Sequence, residues 1–296
     1  MFEIVLFATA VAGRNEEAPT IEIAPSVFMP QINLGISNHT LWLEVGGRGL
    51  DTALVYGDQA QAEVGNAIRA STLERSEIFV TTKVPCCPAT TWETFCNASG
   101  SCAKLGNDTE AQIKHDLKTL GLSYVDLMLL HWPCDTFEES LSTYKAMEKM
   151  MVRGTTRAIG VSNFNASWLE RLYAEAEVKP SVNQCALSIG DHTNSLWGRD
   201  DETVATCKKL GVTFEAYSPL GGWARGGTGH ILNDPTVIAT GQAHNKSAAQ
   251  VALRWLIQQD LAVVTASNEI AFDEADLELW DFSLTPSEME ALSSVV

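Results

Sequence analysis

Residues 124–133 read YVDLMLLHWP. The run is apolar at nearly every position and ends on an imidazole. A strand with one face in water would alternate apolar and polar residues, whereas a run apolar at both parities suits a strand of a parallel sheet buried on both faces. His131 then stands where the strand leaves the sheet. Runs of the same kind recur at 32–35 (INLG), 48–51 (RGLD), 77–83 (EIFVTTK), 157–161 (RAIGV), 182–187 (VNQCAL), 212–217 (VTFEAY) and 262–266 (AVVTA). Helical patterns lie between them. The clearest spans 247–259, where Ala248, Val251, Ala252, Trp255 and Leu256 form one stripe and Ser247 with Gln250 reads as a capping box. Near the C-terminus, Thr285-Pro286-Ser287-Glu288 combines an N-cap, a first-turn proline and an N3 acid.

Eight strand runs alternating with helices over 296 residues predict an α/β fold, a (β/α)8 TIM barrel, rather than a doubly wound sheet. A dinucleotide-binding unit of the doubly wound kind needs G-x-G-x-x-G after an early strand, and none is present. No linker or repeat divides the chain, so residues 21–296 form one domain. Residues 21–31 read as an N-terminal hairpin closing the barrel floor, and 40–47 as a short first helix. The long connections 84–107 and 218–243 fall at the C-terminal face, where such barrels keep their active sites.

A formal charge of −17, from 20 Lys+Arg against 37 Asp+Glu, argues against nucleic acid or an anionic membrane as partner. No stretch reaches the roughly 20 apolar residues of a spanning helix. Residues 1–20 read as a signal peptide or a flexible N-terminus. Residues 4–12 are apolar and Ala8, Ala10 and Ala12 are small, but Glu3 stands where a signal carries Lys or Arg. The chain is cytoplasmic on one reading, and enters the secretory pathway if residues 1–13 act as a signal. N-x-S/T sequons begin at Asn38, Asn97, Asn107, Asn165 and Asn245. Cys86, Cys87, Cys96 and Cys102 fall in one polar segment, where disulfides would staple a loop. Adjacent Cys86-Cys87 lacks the gap of a zinc knuckle, and no metal site is expected.

Four polar residues follow or end apolar runs: Asp51, Tyr56, Lys83 and His131. Taken singly, each has an ordinary structural use as a cap, a core phenol, a strand-end lysine or a buried histidine. Together they can protonate a carbonyl. A phenol of pKa about 10 is a poor acid at neutral pH unless a neighbour stabilises the phenolate. Lys83 beside Tyr56 would do so, Asp51 would hold Lys83 charged, and His131 would orient the carbonyl oxygen. The rival pair for a barrel glycosidase is Asp51 with Glu215.

The segments GRGLDTALVYG, FVTTKV, YVDLMLLHWP, AIGVSNF, VNQ, FEAYSPLGG and DFSLTPSEMEAL follow one another in an order that resembles the aldo-keto reductase family across roughly residues 25–292. The resemblance implies a barrel enzyme that reduces an aldehyde or ketone to an alcohol, or the reverse, by hydride transfer from NAD(P)H. It implies a tetrad of Asp51, Tyr56, Lys83 and His131, with Tyr56 as general acid on a small-molecule carbonyl substrate; Trp132, next to His131, reads separately as a substrate contact. It further implies that Ser162, Asn163 and Gln184 hold the nicotinamide carboxamide and that Tyr217 stacks on the ring. Ser218, Leu220 and Ser267 are implied to contact the cofactor's phosphates or ribose.

The chain departs from that family in three places. The Lys and Arg that grip the 2′-phosphate of NADP(H) are matched by Ala266 and Phe272, and an adenine-contacting Asn and its neighbouring Glu by Asp276 and Ala275. Family resemblance therefore implies NADP(H), while these residues favour NAD(H) or weak binding overall. The first helix is short. The Cys-rich loop either shapes the pocket with Trp92 and Phe95 or is a surface loop. A non-catalytic dinucleotide-binding, redox-sensing or interaction protein on the same barrel is the alternative function. Substrate identity and oligomeric state are left open by the sequence.

Overall fold

The apolar runs become strands, and their polar last residues meet at one end of a barrel. The computed structural model describes residues 19–86, 100–221 and 229–295. Strands β1 (Thr20–Ala24) and β2 (Val27–Pro30) form an antiparallel hairpin. Strands β3 (Ile32–Leu34), β4 (Gly49–Asp51), β5 (Phe79–Val84), β6 (Val125–Leu130), β7 (Thr156–Ser162) and β8 (Val182–Ala186) follow. After a short ribbon of β9 (Thr193–Asn194) and β10 (Arg199–Asp200) come β11 (Thr213–Tyr217) and β12 (Ala262–Thr265). Strands β3 to β8, β11 and β12 close into a parallel barrel, with β12 beside β3. Helices between them form the outer ring, so the chain is a (β/α)8 barrel.

Side-chain parity sorts the core into two clusters. Val80, Val84, Met128, Leu130, Ile159 and Val161 point outward to the helices. Phe79, Leu127, Leu129, Ala158, Val182 and Ala262 meet Ile23, Val27 and Met29 of the hairpin at the barrel floor. The hairpin read from residues 21–31 thus closes the N-terminal end. Asp126 interrupts the apolar run of β6 and is buried all the same. It accepts from Val80 N at 2.9 Å, Arg75 Nη2 at 2.8 Å and Arg157 Nη1 at 2.9 Å, as a buried carboxylate must.

Boundaries shift where capping intervenes. The run read from 77 begins as strand only at Phe79, because Arg75–Glu77 is a 3-10 turn closed by reciprocal Glu74–Glu77 capping. The first helix is His39–Glu44, capped by Asn38 and halted at Gly46, whose φ is +110°. Helices Ala248–Ile257 and Pro286–Ser293 start on Ser247 and Thr285 with both capping boxes formed. Two of the sequons serve as caps as well: Asn38 and Asn165 accept from backbone N–H groups at helix starts.

The disulfide expectation needs correcting. Cys86 pairs with Cys134, which lies outside the Cys-rich segment, and Cys102 is buried. Both bridged cysteines stand just past the ends of neighbouring parallel strands, β5 and β6, which brings their Cα atoms to 5.3 Å across 48 residues of sequence. That adjacency is a property of the barrel and not of sequence spacing. Cys87, Cys96, Asn97, Trp92 and Phe95 lie outside the described residues, as does most of the leader read over 1–20. Cys134→Ser is expected to cost about 2–4 kcal/mol of stability, read as a lower urea midpoint under non-reducing conditions, with no difference once wild type is reduced.

Candidate active site

The strand ends place a connected set of polar groups at the barrel mouth. Asp51 closes β4, Lys83 is the next-to-last residue of β5, His131 follows β6, Ser162 closes β7, Gln184 lies in β8 and Tyr217 closes β11. Asp51 is in register with Thr81, and Lys83 with Leu129. Outside the barrel, Thr82 and Gln61 bond the Asp116 carboxylate, and Thr52 bonds Gln61, so the ends of β4 and β5 are tied to the helices behind them.

Lys83 Nζ donates to Asp51 Oδ1 and to Thr52 O, the latter at 3.1 Å, and the side chain is 1 % exposed. Burial alone would push this ammonium towards neutrality. Asp51, helped by Tyr56 and Glu215, outweighs it and raises the lysine above its ordinary range, so it stays charged. Tyr56 ends a 3-10 turn, Leu54–Tyr56, directly after β4. Lys83 Nζ lies 5.6 Å from its ring centroid. The phenol is raised above its ordinary value, by burial first; Lys83 pulls it down and Asp51 pushes it up. The acidifying neighbour expected from sequence is therefore present, but it offsets burial and does not overcome it. Tyr56 keeps 36 % of its surface open, so solvent reduces that burial penalty.

His131 sits edge-on to Tyr56, with ring centroids 5.9 Å apart and planes at 82°. Burial first, and then the Lys83 charge, hold its pKa well below the ordinary range. The imidazole is neutral at physiological pH and offers one donor and one acceptor. Its Nδ1 is buried without a hydrogen-bond partner among the described residues. Trp132 is buried beside it and donates from Nε1 to Cys86 O at 3.2 Å.

Asn163 and Ser218 adopt φ of +64° and +52°, rare for residues with a side chain, immediately after β7 and β11. Strain of this sort persists only where surroundings hold it. Asn163 Nδ2 donates to His131 O and to Ser162 Oγ, each at 2.9 Å, while its Oδ1 accepts from the Tyr217 hydroxyl at 2.9 Å. Ser162 Oγ donates to Gln184 O at 2.7 Å.

A cleft of about 380 Å³ joins these groups, within the roughly 300–1,000 Å³ usual for small-molecule sites. Its walls include Asp51, Tyr56, His131, Trp132, Ser162, Asn163, Gln184, Tyr217, Ser218 and Leu220. Lys83 is beneath the wall. Ser267 is just beyond it, with its hydroxyl bonded to both N and O of Glu269. Ala266 lines the far end of the cleft, Phe272 is 63 % exposed on helix Ile270–Asp276, and no Lys or Arg lines the cleft among the described residues. Asp276 is buried, accepts from Thr265 Oγ1 at 2.8 Å, and is pushed up to about 7 by burial. An aromatic face, two amides and a hydroxyl on one wall fit a nicotinamide carboxamide.

Residues the sequence reading missed also line the cleft, among them Ile36, Val55 and Thr265, each one or two positions past or before a recognised motif residue. Glu215 and Asn33 were legible as polar residues of inward parity within apolar runs. The glycosidase pairing of Glu215 with Asp51 is the use the sequence suggests for this acid, and Asn33 carries no motif. That reading fails: Glu215 is fully buried, and both it and Asp51 bond one nitrogen, Gln184 Nε2, at 2.8 Å each. Opposed carboxylates flanking a sugar need open space between them.

The mouth of the barrel thus sets a phenol over a buried cation, beside a wall of amide and hydroxyl groups. The sequence model of the Aldo/keto reductase family matches residues 39–296. Morphine 6-dehydrogenase of Pseudomonas putida is 34% identical over 96% of this chain and 93% of its own length. The 9,11-endoperoxide prostaglandin H2 reductase of Trypanosoma cruzi is 34% identical over 91% of this chain and 89% of its own. Among solved structures, an aldo-keto reductase from a Medee basin deep-sea metagenome library superposes with TM-score 0.78 at 31% identity, covering 93% of this chain and 94% of its own. A Bombyx mori aldo-keto reductase solved with NADP gives 0.78 at 29% identity, covering 94% and 92%. This chain belongs to the aldo/keto reductase family and is an NAD(P)H-dependent oxidoreductase.

Proposed function

We propose that this chain reduces the carbonyl of a small aldehyde or ketone, and runs the reverse oxidation, with Tyr56 as general acid. The observation that carries the reading is the buried Lys83–Asp51 pair beneath Tyr56, with neutral His131 edge-on to the phenol. The chemistry a reduced nicotinamide would supply, when held in the cleft, is a hydride for the carbonyl carbon. The Tyr56 hydroxyl gives its proton to the oxygen as negative charge develops there, and Lys83 stabilises the phenolate left behind. His131 donates a hydrogen bond to the same oxygen and orients it. Asp51 keeps Lys83 charged. Ser162, Asn163 and Gln184 would hold the nicotinamide carboxamide, and the Tyr217 side chain would pack against the nicotinamide. Trp132, Val55, Ile36 and Leu220 give the cleft an apolar wall suited to a substrate with an apolar body.

NAD(H) serves this chain at least as well as NADP(H), because Ala266 and Phe272 stand where cations would grip a 2′-phosphate. Side-by-side titration with NADPH and NADH tests this, and a panel of aldehydes and ketones tests turnover. Normal cofactor binding with no oxidation of either cofactor across the panel would favour a non-catalytic binding protein instead. Both positions are exposed and tolerate change. Ala266→Lys with Phe272→Arg is expected to raise the preference for NADPH over NADH at least about tenfold, since each charge-assisted bond contributes about 1.5–3 kcal/mol. An unchanged ratio of dissociation constants would remove this account of the cofactor site.

A further inference from the structure

Glu215 is buried inside the barrel, and the reaction proposed above uses it only as a distant charge that helps keep Lys83 protonated. It lies opposite Gln184 in the register of β11 and β8. Its two oxygens have separate donors: Oε1 accepts from Asn33 Nδ2 and Oε2 from Gln184 Nε2, each at 2.8 Å. The same Gln184 nitrogen also donates to Asp51 Oδ2 at 2.8 Å. Asn33 is anchored in turn, with Nδ2 reaching Pro30 O at 3.0 Å. Its side chain fills the space over Gly49, where a Cβ would collide with Asn33 Oδ1.

An ionised carboxylate can only accept hydrogen bonds. Two carboxylates converging on one amide therefore admit its nitrogen and reject its oxygen. Turning the Gln184 amide by half a rotation would set Oε1 against Asp51 and Glu215, two repulsive contacts in place of two charge-assisted bonds. With Nε2 committed to both acids, Oε1 is the free end of the amide, on a residue that lines the cleft.

We infer that Glu215 is a positioning residue for the nicotinamide end of the cofactor, holding Gln184 Nε2 so that Gln184 Oε1 is a fixed acceptor for the carboxamide N–H. The inference rests on the reading of Gln184 as a carboxamide contact under the proposed function. A simple hydrophobic residue at 215 would fill the barrel at lower electrostatic cost, so this carboxylate has a use beyond packing.

The hold is pH-dependent. Glu215 faces Asp51 of β4 and Lys83 of β5, with the neutral amides of Asn33 and Gln184 from β3 and β8. Burial first, and then repulsion from Asp51, raise its carboxyl to about 7; Gln184, Lys83 and Asn33 pull the other way. Above that value the carboxylate grips the Gln184 nitrogen fully. As pH falls through it, the added proton removes the charge that excludes the amide oxygen.

The test compares wild type, Glu215→Gln and Asn33→Ala for binding of NADH, NADPH and ADP-ribose by fluorescence titration, at about pH 6 and about pH 8. ADP-ribose lacks the nicotinamide, so a role through Gln184 cannot alter its binding. Glu215→Gln is expected to weaken the better dinucleotide about tenfold at the higher pH, the worth of one bond to a charged group. It should leave ADP-ribose within about twofold of wild type and abolish the difference between the two pH values. Asn33→Ala, which leaves Glu215 one donor short, should shift the pH step upward. Dinucleotide binding by Glu215→Gln equal to wild type at both pH values overturns the inference, as does a parallel loss of ADP-ribose. If wild type binds neither dinucleotide, the cofactor reading itself fails, and this inference with it.

Discussion

Tyr56→Phe is expected to lower the rate of carbonyl reduction by about 10²–10⁴-fold, the usual contribution of a positioned general acid, and to leave NADH and NADPH affinity within about twofold. The substitution removes one oxygen from a ring that is 36 % exposed, so it opens no core cavity. Lys83 acts on the Tyr56 hydroxyl through charge and hydrogen bonding. What is lost is the proton for the developing alkoxide. Phenylalanine offers none, and a water admitted in its place is a poorer, unoriented donor. The measurement is a split between kcat for an aldehyde and the dissociation constant for cofactor. A loss smaller than about tenfold would assign the proton to another group, His131 first. An equal fall in cofactor affinity would instead report damage to the fold.

The pH profile gives the same argument a sign. On the proposed mechanism reduction needs the protonated phenol, and the phenol is raised above its ordinary value, by burial before Lys83 opposes it. Reduction should therefore show no loss from Tyr56 as pH rises through neutrality. The reverse reaction needs the phenolate, so alcohol oxidation should climb with pH into the alkaline range. His131 adds no limb near neutrality, because burial and Lys83 hold it neutral there.

The barrel was legible because its strands are buried on both faces. YVDLMLLH and its counterparts are apolar at both parities, and that pattern, repeated between helical stripes, belongs to few architectures. The residues ending those runs were legible for the same reason: a polar side chain closing an apolar strand stands at the mouth. Two things were hidden. The Cys86–Cys134 bridge depends on which strands are neighbours, and 48 residues of sequence conceal a separation of 5.3 Å. The Asp51–Gln184–Glu215 link likewise joins β4, β8 and β11 across the barrel axis, by convergence of inward-facing positions that no local pattern encodes. The net shift of Tyr56 was also out of reach, since it is a balance between burial and two opposite charges whose distances only the fold sets.

Lys83→Met should damage activity and stability together, and the two can be separated. Methionine matches the length of the lysine stem but supplies no charge. Asp51 Oδ1 then loses its ion-pair partner inside a region where both side chains are under 5 % exposed, while Gln184 Nε2 still donates to the other oxygen of that carboxylate. Stranding one half of a buried pair costs about 3–5 kcal/mol, a large part of a typical domain's margin of about 5–15 kcal/mol. Activity falls for a different reason: the charge that pulls the phenol down is gone, Asp51 still pushes it up, and a phenolate at the mouth is no longer stabilised. The double variant Lys83→Met with Asp51→Asn removes both charges and keeps an acceptor for Gln184. It should recover most of the urea midpoint lost by the single variant, yet remain at least about 10²-fold below wild type in carbonyl reduction. Recovery of activity along with stability would mean that the ion pair serves the fold alone, and that Tyr56 delivers its proton without the ammonium.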